Sequence, residues 1–337
     1  MINYVYQLVA PKLISVKYID PVPTNKVIIR PEYMALCHAD QRYYLGQRSP
    51  KVMDEKLPMA LIHECAGIVV QDSSGTYKSG QRVVMIPNTP TKNSDVIFEN
   101  YNKGSHFLSS GHDGFMQELI YMPLDRIVPY NSIDPKVAAI TEFISVAIHA
   151  INRFDSLAHK KRDTIGIWGD GSLAYSVASM LKELHPSSKI VVIGKHRNKL
   201  SNFSFVEKTY TADYLSSNFE VDHAFECIGG EGSYYAIDEI IKHISPQGTV
   251  VLMGVSENRV PIYTRNILEK GLTFVGSSRS GRKDFKEAVE VMKDKKVQNR
   301  LSTIMNYEGA VANISDIHQM FQKDMMTPFK TVFKWNI

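Results

Sequence analysis

The chain has 337 residues, more than the roughly 250–300 at which one hydrophobic core stops growing, so two domains are expected. A hydrophobic fraction of 44% and a net charge of +4, without any block of Lys and Arg, are typical of a globular protein that does not bind nucleic acid. Three cysteines are too few for a secreted disulfide scaffold, and neither a signal-peptide pattern nor an apolar run long enough to span a bilayer occurs, so we expect a cytoplasmic protein without membrane attachment.

The first part of the chain predicts short strands separated by turns. Strand-like runs occur at 27–30, 67–70 and 81–86, and the polar stretch 88–114 predicts a long loop. Apolar residues then recur at helical spacing over 135–154, which predicts a helix that bridges two domains.

From residue 164 onward, short runs rich in Val, Ile and Phe alternate with helix-compatible segments. This alternation predicts a parallel sheet covered by helices. The predicted strands are 164–168, 189–193, 221–226, 249–253 and 272–276, with helices at 172–184 and 233–243. Polar helical segments follow, and a final strand at 331–335 is expected to rejoin the first domain. The predicted domains are therefore 1–145 with 279–337, and 146–278.

A glycine-rich turn lies between the first strand of that sheet and the following helix. It fits the pattern G-x-G-x-x-A and consists of Gly169, Asp170, Gly171, Ser172, Leu173 and Ala174. In such turns the first glycine permits the tight bend, the second lets backbone approach a pyrophosphate, and the small third residue lets helix pack on strand. The amides at the start of the helix then face the phosphates. The position between strand and helix favours a dinucleotide site over a plain turn.

The next strand ends in a basic turn that bears on which dinucleotide is bound. NAD-specific sites place a carboxylate about 20 residues beyond the glycines, to accept from the ribose 2′-hydroxyl. Here the strand ends in Gly194, followed by Lys195, His196 and Arg197, which can neutralise a 2′-phosphate. A solvated basic turn is the alternative. We therefore expect NADP(H).

Two short segments of the first domain carry candidate metal ligands. Cys37 precedes His38 and Asp40, and His63 is followed by Glu64. Cys, His and Glu all bind zinc, and a catalytic zinc needs about three protein ligands with one position left open. A Cys-His pair alone is more often structural, so the residue types by themselves leave the question open.

The order Cys-His-x-Asp, His-Glu-x-x-Gly-x-Val, bridging helix and G-x-G-x-x-A resembles that of the zinc-dependent medium-chain dehydrogenases, over nearly the whole chain. The resemblance implies an α/β protein with a GroES-like, β-rich catalytic domain and a Rossmann domain with a doubly wound parallel sheet. It implies one catalytic zinc held by Cys37, His63 and Glu64, with Glu142 at a position where polyol dehydrogenases carry a metal-site glutamate.

The same resemblance assigns further roles and shows departures. Asp40 would orient the imidazole ligand and His38 would contact the cofactor pyrophosphate. The alternative for Asp40 is a turn-stabilising carboxylate, and the alternative for Glu142 is a helix-surface carboxylate. No cysteine occurs in 88–114, where the family carries a structural zinc, so no second zinc is expected. Ala39 replaces the hydroxyl residue that relays the alcohol proton, and Ile62 replaces the usual glycine before His-Glu.

Several phrases narrow the resemblance to the ribulose-5-phosphate reductases. They are Met1-Ile2-Asn3, the segments 39–44, 57–59, 110–116 and 168–171, and Gly276-Ser277-Ser278-Arg279-Ser280-Gly281. This likeness implies NADPH-dependent reduction of D-ribulose 5-phosphate to D-ribitol 5-phosphate, a homodimer, and a cytidylyltransferase partner that supplies CDP-ribitol for teichoic acid or capsule. Arg42, Tyr43 and Arg279 are candidate substrate contacts, and Arg48 and Lys51 are further candidates for the phosphate.

Two other functions remain possible from sequence alone. One is a zinc-dependent NAD(P) polyol dehydrogenase that acts on an unphosphorylated sugar alcohol. The other is a zinc-free nucleotide-binding protein without turnover, because a fold does not guarantee a function.

Overall fold

The computed structural model describes residues 2–20, 25–92 and 94–337. Met1 and Asn93, which belong to the N-terminal phrase and to the polar stretch considered above, lie outside the described residues. The chain divides into two compact units, Met1–Ser145 with Ser280–Ile337 and Val146–Arg279. Within the described ranges, no helix combines the length and the apolar character needed to cross a lipid bilayer.

The N-terminal part of the first unit is rich in short strands. Its elements are β1 (Asn3–Ala10), β2 (Leu13–Ile19), β3 (Lys26–Ala35), α1 (His38–Tyr44), α2 (Pro50–Lys56), β4 (Met59–Ala60), β5 (Glu64–Asp72), β6 (Arg82–Met85), β7 (Asn88–Thr89), β8 (His106–Phe107), β9 (Ile120–Pro123), β10 (Ile127–Pro129), α3 (Pro135–Ala138) and α4 (Thr141–Leu157). The boundary between the two units falls within α4.

The second unit alternates strands and helices. Its elements after α4 are β11 (Thr164–Trp168), α5 (Ser172–Leu184), β12 (Lys189–Gly194), α6 (Arg197–Leu200), β13 (Lys208–Thr211), β14 (His223–Glu226), α7 (Gly232–His243), β15 (Thr249–Leu252), α8 (Thr264–Lys270) and β16 (Thr273–Gly276). The strands form a six-stranded parallel sheet in the order β13-β12-β11-β14-β15-β16. The predicted parallel sheet is confirmed, since all five predicted strands and both predicted helices are present.

The chain then returns to the first unit through α9 (Arg282–Met292), α10 (Lys295–Ser302), β17 (Met305–Val311), α11 (Ile314–Asp324) and β18 (Lys330–Trp335). The C-terminal strand β18 pairs antiparallel with β3, inside the sheet order β10-β6-β5-β3-β18-β17. A large apolar core, which includes Phe115, Phe321 and Phe333, lies in this unit. The expected return of the C-terminal strand to the first unit is confirmed.

Two local predictions are wrong, and two strands were not predicted. The stretch 88–114 is not one loop, because Asn88 pairs with Phe107 to join β7 to β8 and a 3₁₀ turn lies between them. The single helix predicted over 135–154 is two helices, α3 and α4, and at the break the hydroxyl of Thr141, the first residue of α4, donates to the carbonyl of Ala138. Sequence also missed β13 and β17, whose residues are largely polar or only half-buried.

Candidate metal centre and nucleotide-binding turn

The pairing of β3 with β5 brings the two candidate metal-binding segments together. Ala35, near the end of β3, lies opposite Glu64, the first residue of β5. Cys37 follows shortly after Ala35, and His63 directly precedes Glu64, so antiparallel register places all three side chains at one end of the strand pair. A sulfur, a ring nitrogen and a carboxylate oxygen from Cys37, His63 and Glu64 all lie within 4.8 Å of one another.

His63 is held in place from one side of its ring. Its Nδ1 lies 2.7 Å from the Ser109 hydroxyl and 3.6 Å from Oδ1 of Asp40, and the ring of Phe107 meets it edge-on at 5.3 Å. Burial lowers the pKa of His63, but the charges of Asp40 and Cys37 outweigh burial and hold that pKa well above its ordinary value. Because Nδ1 is engaged by Ser109, Nε2 is the nitrogen that is able to bind a metal.

Asp40 is fully buried and ties two segments of the site together. Its Oδ2 accepts from the amide of Cys37 at 3.1 Å, and its Oδ1 accepts from the amide of Ile62 at 3.0 Å. Burial raises the pKa of Asp40, but the charge of His63 and these hydrogen bonds bring it below its ordinary value. Asp40 is therefore an ionised carboxylate that fixes the backbone on both sides of the cluster.

Lys330 is a buried partner of the cluster that sequence reasoning missed. Its ammonium group donates to Oε1 of Glu64 and, at 2.7 Å, to the carbonyl of Leu36. Oε2 of Glu64 is buried and has no hydrogen-bond partner among the described residues. Burial raises the pKa of Glu64 to about 7, and Lys330 and His63 oppose that rise. The only sequence signal was a lysine beside the apolar strand run 331–335, and nothing local showed that it would be buried.

Glu142 lies close to the cluster but outside it. It is the second residue of α4 and is buried, and its charge is one of the influences that raise the pKa of Glu64. Its oxygens do not join the group of Cys37, His63 and Glu64 at the 4.8 Å limit within the described chain. Three of the four predicted metal ligands are thus assembled, and the fourth is a near neighbour.

Backbone strain is stored directly beside the cluster. Ile62, at the position where the family carries glycine, has φ of +69°, a conformation that β-branched residues rarely adopt. Its carbonyl accepts from the amide of Phe115 at 2.7 Å, and its amide is bound by Asp40. A strained residue of this kind costs about 1–3 kcal/mol and persists only where surrounding contacts over-determine it. The left-handed backbone explains why glycine is usual there.

The second unit carries the predicted glycine turn between β11 and α5. Gly169 has φ of +141°, and a Cβ there would lie 3.1 Å from the carbonyl oxygen of Cys227 and 3.3 Å from the Cβ of buried Ala174. A Cβ on Gly171 would meet nothing within 4 Å. Gly169 is therefore required by the fold, whereas the space over Gly171 is open to a ligand. Ser172 and Leu173, the first two residues of α5, are half-buried.

Asp170 reaches across to the basic turn after β12, a connection that sequence analysis did not predict. Its Oδ2 accepts from the amides of Lys195 and His196 at 2.8 and 2.7 Å and lies 3.0 Å from Nδ1 of His196. A Cβ on Gly194 would lie 2.6 Å from the Cβ of Asp170. The basic turn after β12 has no carboxylate of its own, and the carboxylate of Asp170 fixes its backbone instead.

These two turns line a cavity of about 720 Å³ inside the second unit. Its walls include Gly169, Gly171, Lys195, His196 and Lys199. Lys199 was not predicted from sequence; it lies in the short helix α6 that directly follows the basic turn. Arg197 does not line the cavity; its guanidinium lies 5.9 Å from the ring centre of Tyr214.

The remaining candidates are placed as follows. His38 is exposed at the first position of α1, Arg42 is half-buried in α1, and Tyr43 beside it is buried. Lys51 is highly exposed and lies 3.8 Å from Glu55. Arg279 is exposed, with a left-handed φ of +58° at the end of the second unit.

Comparison with known proteins gives matches over the full chain. The family model "Alcohol dehydrogenase GroES-like domain" matches residues 23–132, and "Zinc-binding dehydrogenase" matches residues 210–294. A ribulose-5-phosphate reductase of Streptococcus pneumoniae is 53% identical over 100% of this chain and 98% of its own length. One of Bacillus spizizenii is 48% identical over the full length of both chains. The crystal structure of S. aureus TarJ in complex with NADPH superposes with a TM-score of 0.89, 43% identity and full coverage of both chains.

Proposed function

Because the chain belongs to the ribulose-5-phosphate reductases of the zinc-binding alcohol dehydrogenase family, we propose that it reduces D-ribulose 5-phosphate to D-ribitol 5-phosphate with NADPH. The observation that carries this proposal is the 53% identity to such a reductase over the whole chain. The predicted α/β fold, with a GroES-like unit and a parallel-sheet nucleotide unit, is confirmed by the same matches.

The donor set fits a zinc ion. A thiolate, an imidazole and a carboxylate are the ligand types of catalytic zinc, and their atoms lie close enough for one ion after small side-chain adjustments. Oε2 of Glu64 is buried and has no hydrogen-bond donor among the described residues, and a bound cation would compensate for the missing donor. When bound, zinc supplies Lewis acidity toward the carbonyl oxygen of the substrate.

The chain's own residues orient this donor set. Asp40 and Ser109 fix the ring of His63 through Nδ1, which leaves Nε2 toward the cluster. Lys330 compensates the buried charge of Glu64, and its pKa is raised because the carboxylate and Cys37 outweigh the effect of burial. We propose Cys37 and His63 as constant ligands, with Glu64 as the ligand that exchanges and Glu142 as the carboxylate next in reach.

The second unit fits NADPH. When bound, the cofactor would supply the hydride, and the open backbone at Gly171 together with the amides at the start of α5 would hold its pyrophosphate. Lys195 and Lys199 place positive charge in the lining of the cavity, where a 2′-phosphate would be bound, and Asp170 fixes the backbone amides of Lys195 and His196. We propose that this turn, rather than Arg197, selects NADPH over NADH.

We further propose a homodimer that works in the cytoplasm beside a cytidylyltransferase, which would convert ribitol 5-phosphate to CDP-ribitol for teichoic acid or capsule. The dimer and the partner are what the family resemblance of the sequence implies, and three cysteines without a disulfide are consistent with a reducing compartment.

A panel of keto sugars and keto sugar phosphates tests the proposal directly. NADPH oxidation is measured with D-ribulose 5-phosphate, D-ribulose and D-xylulose, and repeated with NADH. The proposal requires the highest kcat/KM with D-ribulose 5-phosphate and NADPH. A higher kcat/KM for an unphosphorylated sugar would instead identify a polyol dehydrogenase, and no turnover with any pair would identify a binding protein.

A further inference from the structure

A group of basic and hydroxyl side chains includes Tyr43 and Arg48, which the sequence singles out as candidate substrate contacts, and further residues to which no role has been assigned. It consists of Tyr43, of Arg48 and Lys56 near the Tyr43 ring, and of Ser110 and His112 near Lys56, and we call it the basic cluster. All five residues belong to the first unit. The guanidinium of Arg48 lies 5.0 Å from the centre of the Tyr43 ring, and the ammonium group of Lys56 lies 6.0 Å from the same ring.

Lys56 differs from the neighbouring lysine of the same helix. Its ammonium group donates to the hydroxyl of Ser110 at 2.6 Å and forms no ion pair with a carboxylate within the described part of the chain. Lys51, near the start of α2, is exposed and lies 3.8 Å from Glu55. The charge of Lys51 is therefore balanced by a neighbour, whereas the charge of Lys56 is presented with a hydroxyl donor beside it.

His112 is a neighbour of Lys56 whose ring is held toward its neutral form. Its pKa is lowered by burial first, then by His106, whose Nδ1 lies 2.6 Å from Nε2 of His112, and further by the charge of Lys56. The nearby carboxylate is Asp113, which raises that pKa, but its Oδ1 accepts from the side-chain amide of Gln7 and the backbone amide of Ala60. The positive charges of Arg48 and Lys56 near the Tyr43 ring repel each other, and an anion bound close to both would offset that repulsion.

The basic cluster is connected to the metal ligands on two sides. Tyr43 lies in α1, which begins directly after Cys37. Ser110 directly follows Ser109, whose hydroxyl lies 2.7 Å from Nδ1 of His63. An anion bound at Lys56 and Ser110 would therefore lie beside a substrate whose carbonyl faces the metal ligands.

We propose that the basic cluster binds the phosphate of the substrate, an inference that rests on the proposed function. In D-ribulose 5-phosphate, two carbons separate the carbonyl carbon from the carbon that carries the phosphate, so the two ends of the substrate must be recognised close together. In this subsite Lys56 and Arg48 supply positive charge, and Ser110 supplies a hydroxyl donor. The ring of Tyr43, which both cations approach, lines the subsite. This assignment replaces Lys51, which the structure pairs with Glu55, and adds Lys56, which the sequence did not single out.

Steady-state kinetics of the full-length zinc enzyme test the subsite with Lys56→Gln and Arg48→Gln, and with Lys51→Gln as the matched control. Lys56→Gln is expected to lower kcat/KM for D-ribulose 5-phosphate about 10- to 100-fold, mainly through KM, and to leave KM for NADPH unchanged. Inhibition by inorganic phosphate, measured against D-ribulose 5-phosphate at saturating NADPH, should weaken by a similar factor. Lys51→Gln should match the wild type on every measure, and Lys56→Arg should retain most of the activity.

The failures of the two proposals are distinguishable. If the wild type reduces D-ribulose 5-phosphate but Lys56→Gln and Arg48→Gln behave as Lys51→Gln does, the subsite is wrong and the function stands. A loss of kcat/KM with unchanged phosphate inhibition would also overturn the subsite, because it would mark a structural defect. If the wild type turns over D-ribulose but not its phosphate, the proposed function fails and the subsite with it.

Discussion

The metal centre and the nucleotide-binding turn differ in the kind of group that they present. The metal centre is built from side chains whose charges depend on one another, with Glu64 between Lys330 and His63. The nucleotide turn is built largely from backbone, with an open space over Gly171 and amides fixed by Asp170. A side-chain centre should therefore respond to changes of charge, whereas a backbone turn should respond to added volume.

Removal of the thiolate is expected to have the largest effect. Cys37→Ser should lose the zinc and lower kcat with D-ribulose 5-phosphate about a thousandfold or more, since metal polarisation of the carbonyl is worth several kcal/mol. NADPH binding in the second unit should not change. Zinc content by elemental analysis and kcat give the measurement, with Cys65→Ser as control, because Cys65 is buried outside the cluster. Full activity of Cys37→Ser without zinc would refute the assignment.

Removal of the buried ammonium group of Lys330 is expected to have the next largest effect. Lys330→Met removes the group that opposes the rise in the pKa of Glu64 and leaves this buried carboxyl without its hydrogen-bond donor, which is expected to lower the free energy of unfolding of the metal-free first unit by about 3 kcal/mol. Lys334→Met, on the same strand but half-buried, is the control. Urea unfolding is followed by the fluorescence of Trp335 in a Trp168→Phe background, so that only the first unit is reported. A loss equal to that of Lys334→Met would contradict the charge argument, and adding Glu64→Gln to Lys330→Met should recover part of the loss.

Added volume at the two glycines should separate binding from stability. Gly171→Ala fills open space and is expected to raise Kd for NADPH about 10- to 100-fold, with less than about 1 kcal/mol lost from folding. Gly169→Ala should instead lower the free energy of unfolding by about 1–3 kcal/mol, because φ of +141° strains any residue with a Cβ. NADPH titration and urea unfolding measure the two effects. Unchanged NADPH affinity in Gly171→Ala would place the pyrophosphate elsewhere.

Acid should weaken the second unit through His223, which is expected to be the smallest effect. Burial lowers the pKa of His223 to about 4, helped by the charge of His159, and the amide of Thr249 donates to its Nδ1. The unfolded chain has a histidine pKa of about 6.5, so it binds the extra proton first, and stability falls as the pH drops from about 6.5 to about 4. We expect a loss of about 1–3 kcal/mol over that range.

Urea unfolding at pH 7 and pH 4.5, followed by Trp168 in a Trp335→Phe background, measures this dependence. His223→Gln should flatten it, because glutamine has no proton to gain in this range. An equal pH dependence in His223→Gln and the parent would show that other groups control acid unfolding.

The sequence predicts structure most accurately where the structure depends on residues that are adjacent in the chain. The strand, glycine turn and helix over 164–184 were predicted with their bounds, because a short apolar run, two glycines and a helical period are all local signals. The close approach of Cys37 to His63 and Glu64 followed from a family resemblance, since the register of β3 on β5 that produces it cannot be derived from spacing.

Contacts between residues far apart in sequence could not be predicted, because no local pattern shows which residues the fold brings together. Lys330 reaches Glu64 across 266 residues, and no local pattern distinguishes it from an exposed lysine. Asp170 was seen only as a variable residue of the glycine turn, although it shapes the basic turn 25 residues away. Lys56 was overlooked because it lies in a short helix with other charged residues, and only the position of Tyr43 and Ser110 distinguishes it from Lys51.

Zinc titration of the chelator-treated enzyme tests the central claim most directly. NADPH oxidation with D-ribulose 5-phosphate should fall to background after chelation, return in proportion to added zinc, and level off at about one zinc per chain, as one cluster of three protein ligands requires. Full reduction of D-ribulose 5-phosphate by protein that elemental analysis shows to be free of metal would contradict the account.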